Sequence, residues 1–152
     1  MKKMQPRLNK NNTIKYTEME LFKYNIILNI VQYNSGIKDL PSVVKKRYNS
    51  DIRFVYFALC RVYFKNYFSL TKCSQVINRT HASVIHGLKQ FDYNYGKNWF
   101  LGNEVYLTSK DALDELFNHQ DKDGKGDNIV LAAKYYEYEL NKINVEYDLI
   151  SV

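Results

Sequence analysis

The sequence predicts an all-α protein: a helix-turn-helix core followed by a C-terminal helical extension. Three observations lead there. Apolar residues recur at spacings of three and four. Start signals such as Thr17-Glu18-Met19-Glu20 and stop signals such as Asn34-Ser35-Gly36 bracket the first of these stretches. Two short periodic segments flank a polar break at Ile77-Asn78-Arg79-Thr80.

A chain of 152 residues, 45% hydrophobic, has the length and apolar content for one ordinary domain, or a compact domain with an appended helical unit. No stretch approaches the roughly 18 uninterrupted apolar residues of a membrane span. The basic start Met1-Lys2-Lys3-Met4-Gln5-Pro6 is not followed by the apolar core of a secretory leader. The expected compartment is the cytoplasm, with no membrane partner. Cys60 and Cys73 have neither metal-ligand spacing nor the density of a disulfide scaffold, so both read as small buried apolar residues.

Residues 1–16 are polar and aperiodic and read as a flexible basic arm. Thr17 and Glu20 form a capping box for a helix running to about Tyr33, with Leu21, Ile27, Ile30 and Val31 among its buried positions. Asp39-Leu40-Pro41-Ser42 opens a short helical turn, since proline lacks only an N–H that a first turn leaves unpaired. Asn49-Ser50 offers a cap for a long helix whose core face carries Phe54, Phe57, Ala58 and Val62. Ser69 precedes the apolar spacing Leu70, Cys73, Val76 and Ile77, which describes two turns of helix. Val84, Ile85, Leu88 and Phe91 then stripe a second helix. At about 100° per residue, Ala82, Ser83, His86, Lys89 and Gln90 fall on its exposed side. In a helix-turn-helix, that second helix offers its N-terminal residues to the major groove, although an ordinary helical hairpin has the same pattern. The core unit spans residues 17–93.

Residues 94–152 form the extension, which is acidic and aromatic-rich. Trp99, Phe100, Val105, Tyr106 and Leu107 suggest a short extended segment, Thr108-Ser109 a cap for a helix through Asn118, and residues 129–149 a final amphipathic helix. Between them, Asp121 to Asp127 resembles a calcium loop. Position twelve, where a bidentate Glu is required, is Ala132, so the segment reads as a hinge. His81 and His86 are five apart, off the spacing that puts two metal ligands on one helical face. There is no glycine-rich phosphate loop, so no cofactor and no nucleotide-hydrolysing role is expected.

Charge is distributed unevenly. Residues 1–35 carry net +4, residues 36–91 net +8 with Asp39 and Asp51 as the only acids, and residues 92–152 net −6. A single sign sustained over that middle stretch is the footprint of a polyanion binder; a solvated lysine-rich face is the alternative. Lys45, Lys46, Arg47, Arg53, Arg79 and Lys89 bracket the second helix in sequence and suit phosphate contacts. Thr80, His81, Ser83 and His86 suit hydrogen bonds to base edges or phosphate oxygens.

The stretch Asn78-Arg79-Thr80-His81-Ala82-Ser83-Val84-Ile85-His86-Gly87 resembles the signature of a known family, the C-terminal DNA-binding domain of the bacterial replication initiator DnaA, a Trp-repressor-like helix-turn-helix. That signature reads Arg-Asp-His-[Thr/Ser]-Thr-Val-[Leu/Ile]-His-Ala. Gly36-Ile37-Lys38-Asp39-Leu40 with Lys45-Lys46-Arg47, Arg53 opening the long helix, and Ser69-Leu70 are similar to the family's remaining landmarks, and the likeness covers about residues 20–92. It implies minor-groove and phosphate contacts for Lys45, Arg47 and Arg53. It implies major-groove reading by Arg79, Thr80, His81, Ala82, Ser83 and His86, with Lys89 on a phosphate. Thr80 replaces the signature Asp and Ala82 a signature Thr, so two base-reading groups differ. The helix ahead of the motif is expected to be two residues longer, and the family's ATPase domain is missing from the chain.

The function these readings predict is non-enzymatic, sequence-specific binding of double-stranded DNA. It would serve replication initiation or transcription control in a phage, a mobile element or an AT-rich bacterium. The alternative is an interaction or virion-associated structural protein whose acidic C-terminal part binds a protein partner, with only nonspecific DNA binding.

Overall fold

In a computed structural model that describes residues 15–117, Tyr135 and Glu139, the chain is all-helical, with five α-helices and two 3-10 turns among the described residues. The expected all-α class is what the structure has. The first helix, α1 (Glu18–Ser35), begins with the predicted capping box: Glu20 N donates to Thr17 Oγ1 at 3.1 Å and Thr17 N to Glu20 Oε1 at 2.9 Å. It ends at Gly36, whose φ of 77° is the left-handed conformation that glycine adopts without penalty. Ile27, Ile30 and Val31 are buried as expected, but Leu21 is 43% exposed.

The turn at Leu40–Ser42 forms as predicted. The second helix, α2 (Arg47–Phe64), starts earlier than expected. Lys46 is its N-cap residue without a side-chain cap, and the polar pair proposed for that role lies inside the helix. Asn49 Nδ2 donates to the Val44 carbonyl, and Ser50 Oγ accepts from Arg53. Nearly every position from Asp51 to Cys60 is buried, because α2 is the central helix and packs against α1, α4 and α5. A 3-10 turn, Lys65–Tyr67, follows. Then come α3 (Leu70–Val76) and α4 (His81–Asn94), packed against each other on either side of a four-residue turn.

The extended segment anticipated at residues 99–107 is absent. Trp99 lies in a turn and Phe100 in the loop that follows it, and α5 (Asn103–Phe117) begins at Asn103. Asn103 closes the loop before it, accepting from Gly96 N and donating to the Lys97 carbonyl, both at 2.8 Å. Thr108 and Ser109 therefore do not cap a helix. They are interior to α5, and buried Ser109 Oγ accepts from Asn34 Nδ2 of α1. Val105, Tyr106, Ser109, Leu113 and Leu116 are spaced for one helical face, so the short apolar run that looked like strand is the start of that face. Through it, α5 joins the same apolar cluster as α1 and α2.

Both cysteines are free and buried, as expected. Lys23 is also buried: it donates to the Tyr63 carbonyl at 2.9 Å and its ammonium lies over the Phe64 ring. Of the predicted final helix, Tyr135 and Glu139 are helical, and Tyr135 contacts α1 through the Phe22 ring and Asn29 Nδ2. Residues 1–14, the calcium-like segment 121–127 and the rest of the final helix lie outside the described residues.

Candidate nucleic-acid interface

The sequence fixes the two-helix unit locally at three points. Ser69 Oγ accepts from Lys72 N at 3.2 Å and starts α3. Asn78 takes φ 63°, a left-handed conformation that Asn tolerates better than most residues, and turns the chain sharply. Arg79 N then returns to the Ser74 carbonyl at 2.9 Å. Thr80 is the N-cap of α4, its Oγ1 accepting from Ser83 N at 3.3 Å. Lys72 and Glu20, 2.6 Å apart, join α3 to α1. Val84, Gly87, Leu88 and Phe91 are the buried side of α4; Ile85, expected with them, is 39% exposed at the edge of that stripe.

Consequently the first turn of α4 faces outward. His81 and Ala82 are exposed, as are His86 and Lys89 farther along, while Ser83 is half-buried. Lys45, Lys46 and Arg47 are exposed between the 3-10 turn and α2, with Arg47 as the first residue of α2. Arg47 is held: its Nη2 donates to the Trp99 carbonyl at 2.6 Å.

Arg53 departs from a surface role. Its residue is only 7% exposed, so it does not project as a freely moving surface cation. It lines a recess of about 510 Å³ with Lys45, Ser50, Phe54, Phe57, Arg79, Ser83 and His86. Five of the sequence-selected residues therefore meet at one place: Lys45, Arg53, Arg79, Ser83 and His86. Lys46, Arg47, Thr80, His81, Ala82 and Lys89 are not among the residues lining it.

The electrostatics of this recess are one-sided. Among the described residues lining it there is no carboxylate. Arg53 Nη2 donates to Ser50 Oγ at 2.9 Å, whereas its buried Nη1 has no acceptor among the described residues. Burial first, and then the charge of Arg79 beside it, hold the Arg53 guanidinium below its ordinary pKa; burial does the same to Arg79. Both remain charged at neutral pH, since arginine does not deprotonate there. Among the described residues, Arg79 Nη1 reaches only main-chain oxygens, those of Pro41 at 3.3 Å and Asn78 at 3.2 Å.

Sequence reading missed Ser50, Phe54 and Phe57 as parts of this surface. Ser50 stands three residues before Arg53 on one helix, a spacing that puts side chains together and was available as a signal. The apolar spacing of α2 places Phe54 in the core alone. Its ring meets the His86 ring edge-on, with centroids 5.9 Å apart, so it is half core and half surface. Among the described residues, no group of three His, Cys, Asp or Glu is placed to hold a metal, and no helix is long and apolar enough to cross a membrane.

No protein-family model, curated protein or solved structure matches the chain.

Proposed function

We propose that this chain is a non-enzymatic, sequence-specific binder of double-stranded DNA, docking the first turn of α4 in the major groove. One observation carries the reading: exposed His81 and Ala82 open the same helix whose Ser83 and His86 border a recess holding Lys45, Arg53 and Arg79. Base-edge hydrogen bonders thus sit beside cations that have no carboxylate partner in that recess, which is the division of labour DNA reading requires. The likeness of residues 78–87 to the DnaA signature supports a role in replication initiation or transcription control. The change at Thr80 and Ala82 supports a target other than the usual box of that family.

The test compares affinity for selected and random duplexes at two salt concentrations. A specific reader keeps a large affinity ratio as salt rises, whereas a phosphate-only binder loses nearly all affinity for both. Equal affinity for the two duplex pools at both concentrations overturns the reading.

A further inference from the structure

We propose that the recess between the start of α2 and the start of α4 is a socket for a single phosphate group, gripped by Arg53 and Arg79 together. The DNA backbone as source of that phosphate rests on the proposed function; the socket itself does not.

The argument begins with an unbalanced charge. A guanidinium taken out of water is stabilised when paired and costly when not. Arg53 is buried and half satisfied, with Ser50 on one nitrogen and no acceptor on the other among the described residues. A second guanidinium stands close enough to disfavour its charge. Among the described residues nothing in the lining relieves this, because no carboxylate is there. An oxyanion would relieve both cations at once.

The chemistry of the lining then selects the ligand. Arg53, Arg79 and the Lys45 ammonium only donate. Ser50 Oγ already accepts from Arg53, so its own proton is left to give. Ser83, in the first turn of the 14-residue α4, adds a hydroxyl where the helix dipole favours negative charge. Adenine and cytosine edges carry donors that would face donors here, and the two acceptors of guanine are neutral and confined to one plane. A phosphate brings the negative charge that two guanidiniums lack, with oxygens pointing in several directions. The guanidinium fork suits two phosphate oxygens side by side.

Inorganic phosphate is the probe. At about 10 mM, against sodium chloride of equal ionic strength, it should raise the Tm of the full chain by about 3–6 °C, the shift expected of a site about ten-fold over its Kd. Arg53→Met keeps the stem and removes the charge. That variant should melt higher than wild type in chloride and gain nothing from phosphate. Should Arg53→Met fail to fold, Arg79→Gln, at a half-exposed position, carries the same test and should lose at least half the gain. No phosphate gain in the wild type, or an undiminished gain in the variant that folds, overturns the socket.

A competition arm identifies the source. Phosphate that weakens binding of a 20-base-pair duplex about three-fold beyond the chloride control marks the backbone phosphodiester as the occupant. Stabilisation without competition marks free phosphate and overturns the DNA source. Duplex binding with no phosphate gain overturns the socket and leaves the proposed function standing. Phosphate gain with no duplex binding does the reverse.

Discussion

A β-carbon on Gly87 of α4 would lie 2.6 Å from Cδ2 of Phe57 on α2, well inside van der Waals contact. The helix that carries the candidate reading surface therefore rests on the central helix through a position with no side chain. Cδ1 of Phe54 is nearly as close, at 2.8 Å. The DnaA signature that residues 78–87 resemble has Ala here, so this chain pairs a smaller residue on α4 with large aromatic rings on α2.

Gly87→Ala should destabilise the protein even though Ala is the better helix former. Helix propensity favours Ala by about 1 kcal/mol. Overpacking costs about 1–3 kcal/mol, and Phe57, 1% exposed, can give way only toward the recess it lines. The expected net loss is about 1 kcal/mol, read as a lower urea midpoint at unchanged m-value. A midpoint equal to or above wild type would show that the rings yield and that Gly87 does not set the helix position.

Local signals in the sequence located the helices well where they act within one turn. Thr17 with Glu20 caps the helix it is expected to cap, and Ser69 caps the short helix it precedes. Thr80, read from the sequence as a DNA contact, is also an N-cap, whereas Asn49-Ser50 and Thr108-Ser109 lie inside helices that begin earlier. The misses need tertiary information. The apolar residues Trp99, Phe100, Val105, Tyr106 and Leu107 suggest an extended segment because such a short run suits either geometry, and only packing against α1 and α2 decides. Arg53 was legible as a cation but not as a buried one. Its environment comes from Arg79 and Ser83, 26 and 30 residues away in the chain. Charge counting finds such residues and cannot say which of them are buried.

Glu20 and Lys72 should make stability pH-dependent on the acid side. Burial pushes the Glu20 carboxyl up, but hydrogen bonds from Lys72 and the Thr17 backbone outweigh it and leave it below its ordinary value of 4.5. A lowered folded pKa means stabilisation that is full above the unfolded value and lost as pH falls through the folded one. Wild type should therefore lose Tm below about pH 4.5 more steeply than Glu20→Gln, with the two curves converging at the acid end. Parallel Tm curves from pH 7 to pH 3 would show that the pair joining α3 to α1 contributes nothing.

Lys89 and His81 should behave differently in DNA binding, although both are exposed on α4. Lys89→Ala removes a charge beyond the first turn. It should weaken binding uniformly across sequences and reduce the salt slope by about one unit. His81→Ala, at the first position of α4, should cost about ten-fold on selected duplexes, little on random ones, and leave Tm unchanged. A shift of base preference in the Lys89 variant, or equal losses on both pools in the His81 variant, would reverse the assignments.

Thr80 has two candidate jobs, and two substitutions separate them. Its hydroxyl caps α4 through Ser83 N, so Thr80→Ala should cost about 1 kcal/mol of stability. Thr80→Asp restores the residue of the DnaA-like signature. A carboxylate is also a strong N-cap and lies favourably at the positive end of the helix dipole, so stability should hold or rise slightly. If the side chain also faces the groove, the Asp variant replaces a hydroxyl that donates and accepts with a group that only accepts, next to the exposed His81. Duplexes selected by Thr80→Asp should then differ from those selected by wild type at one or two adjacent base pairs, while phosphate stabilisation through Arg53 and Arg79 stays as it was. Identical selected sequences would confine Thr80 to capping and move the reading surface to His81, Ser83 and His86.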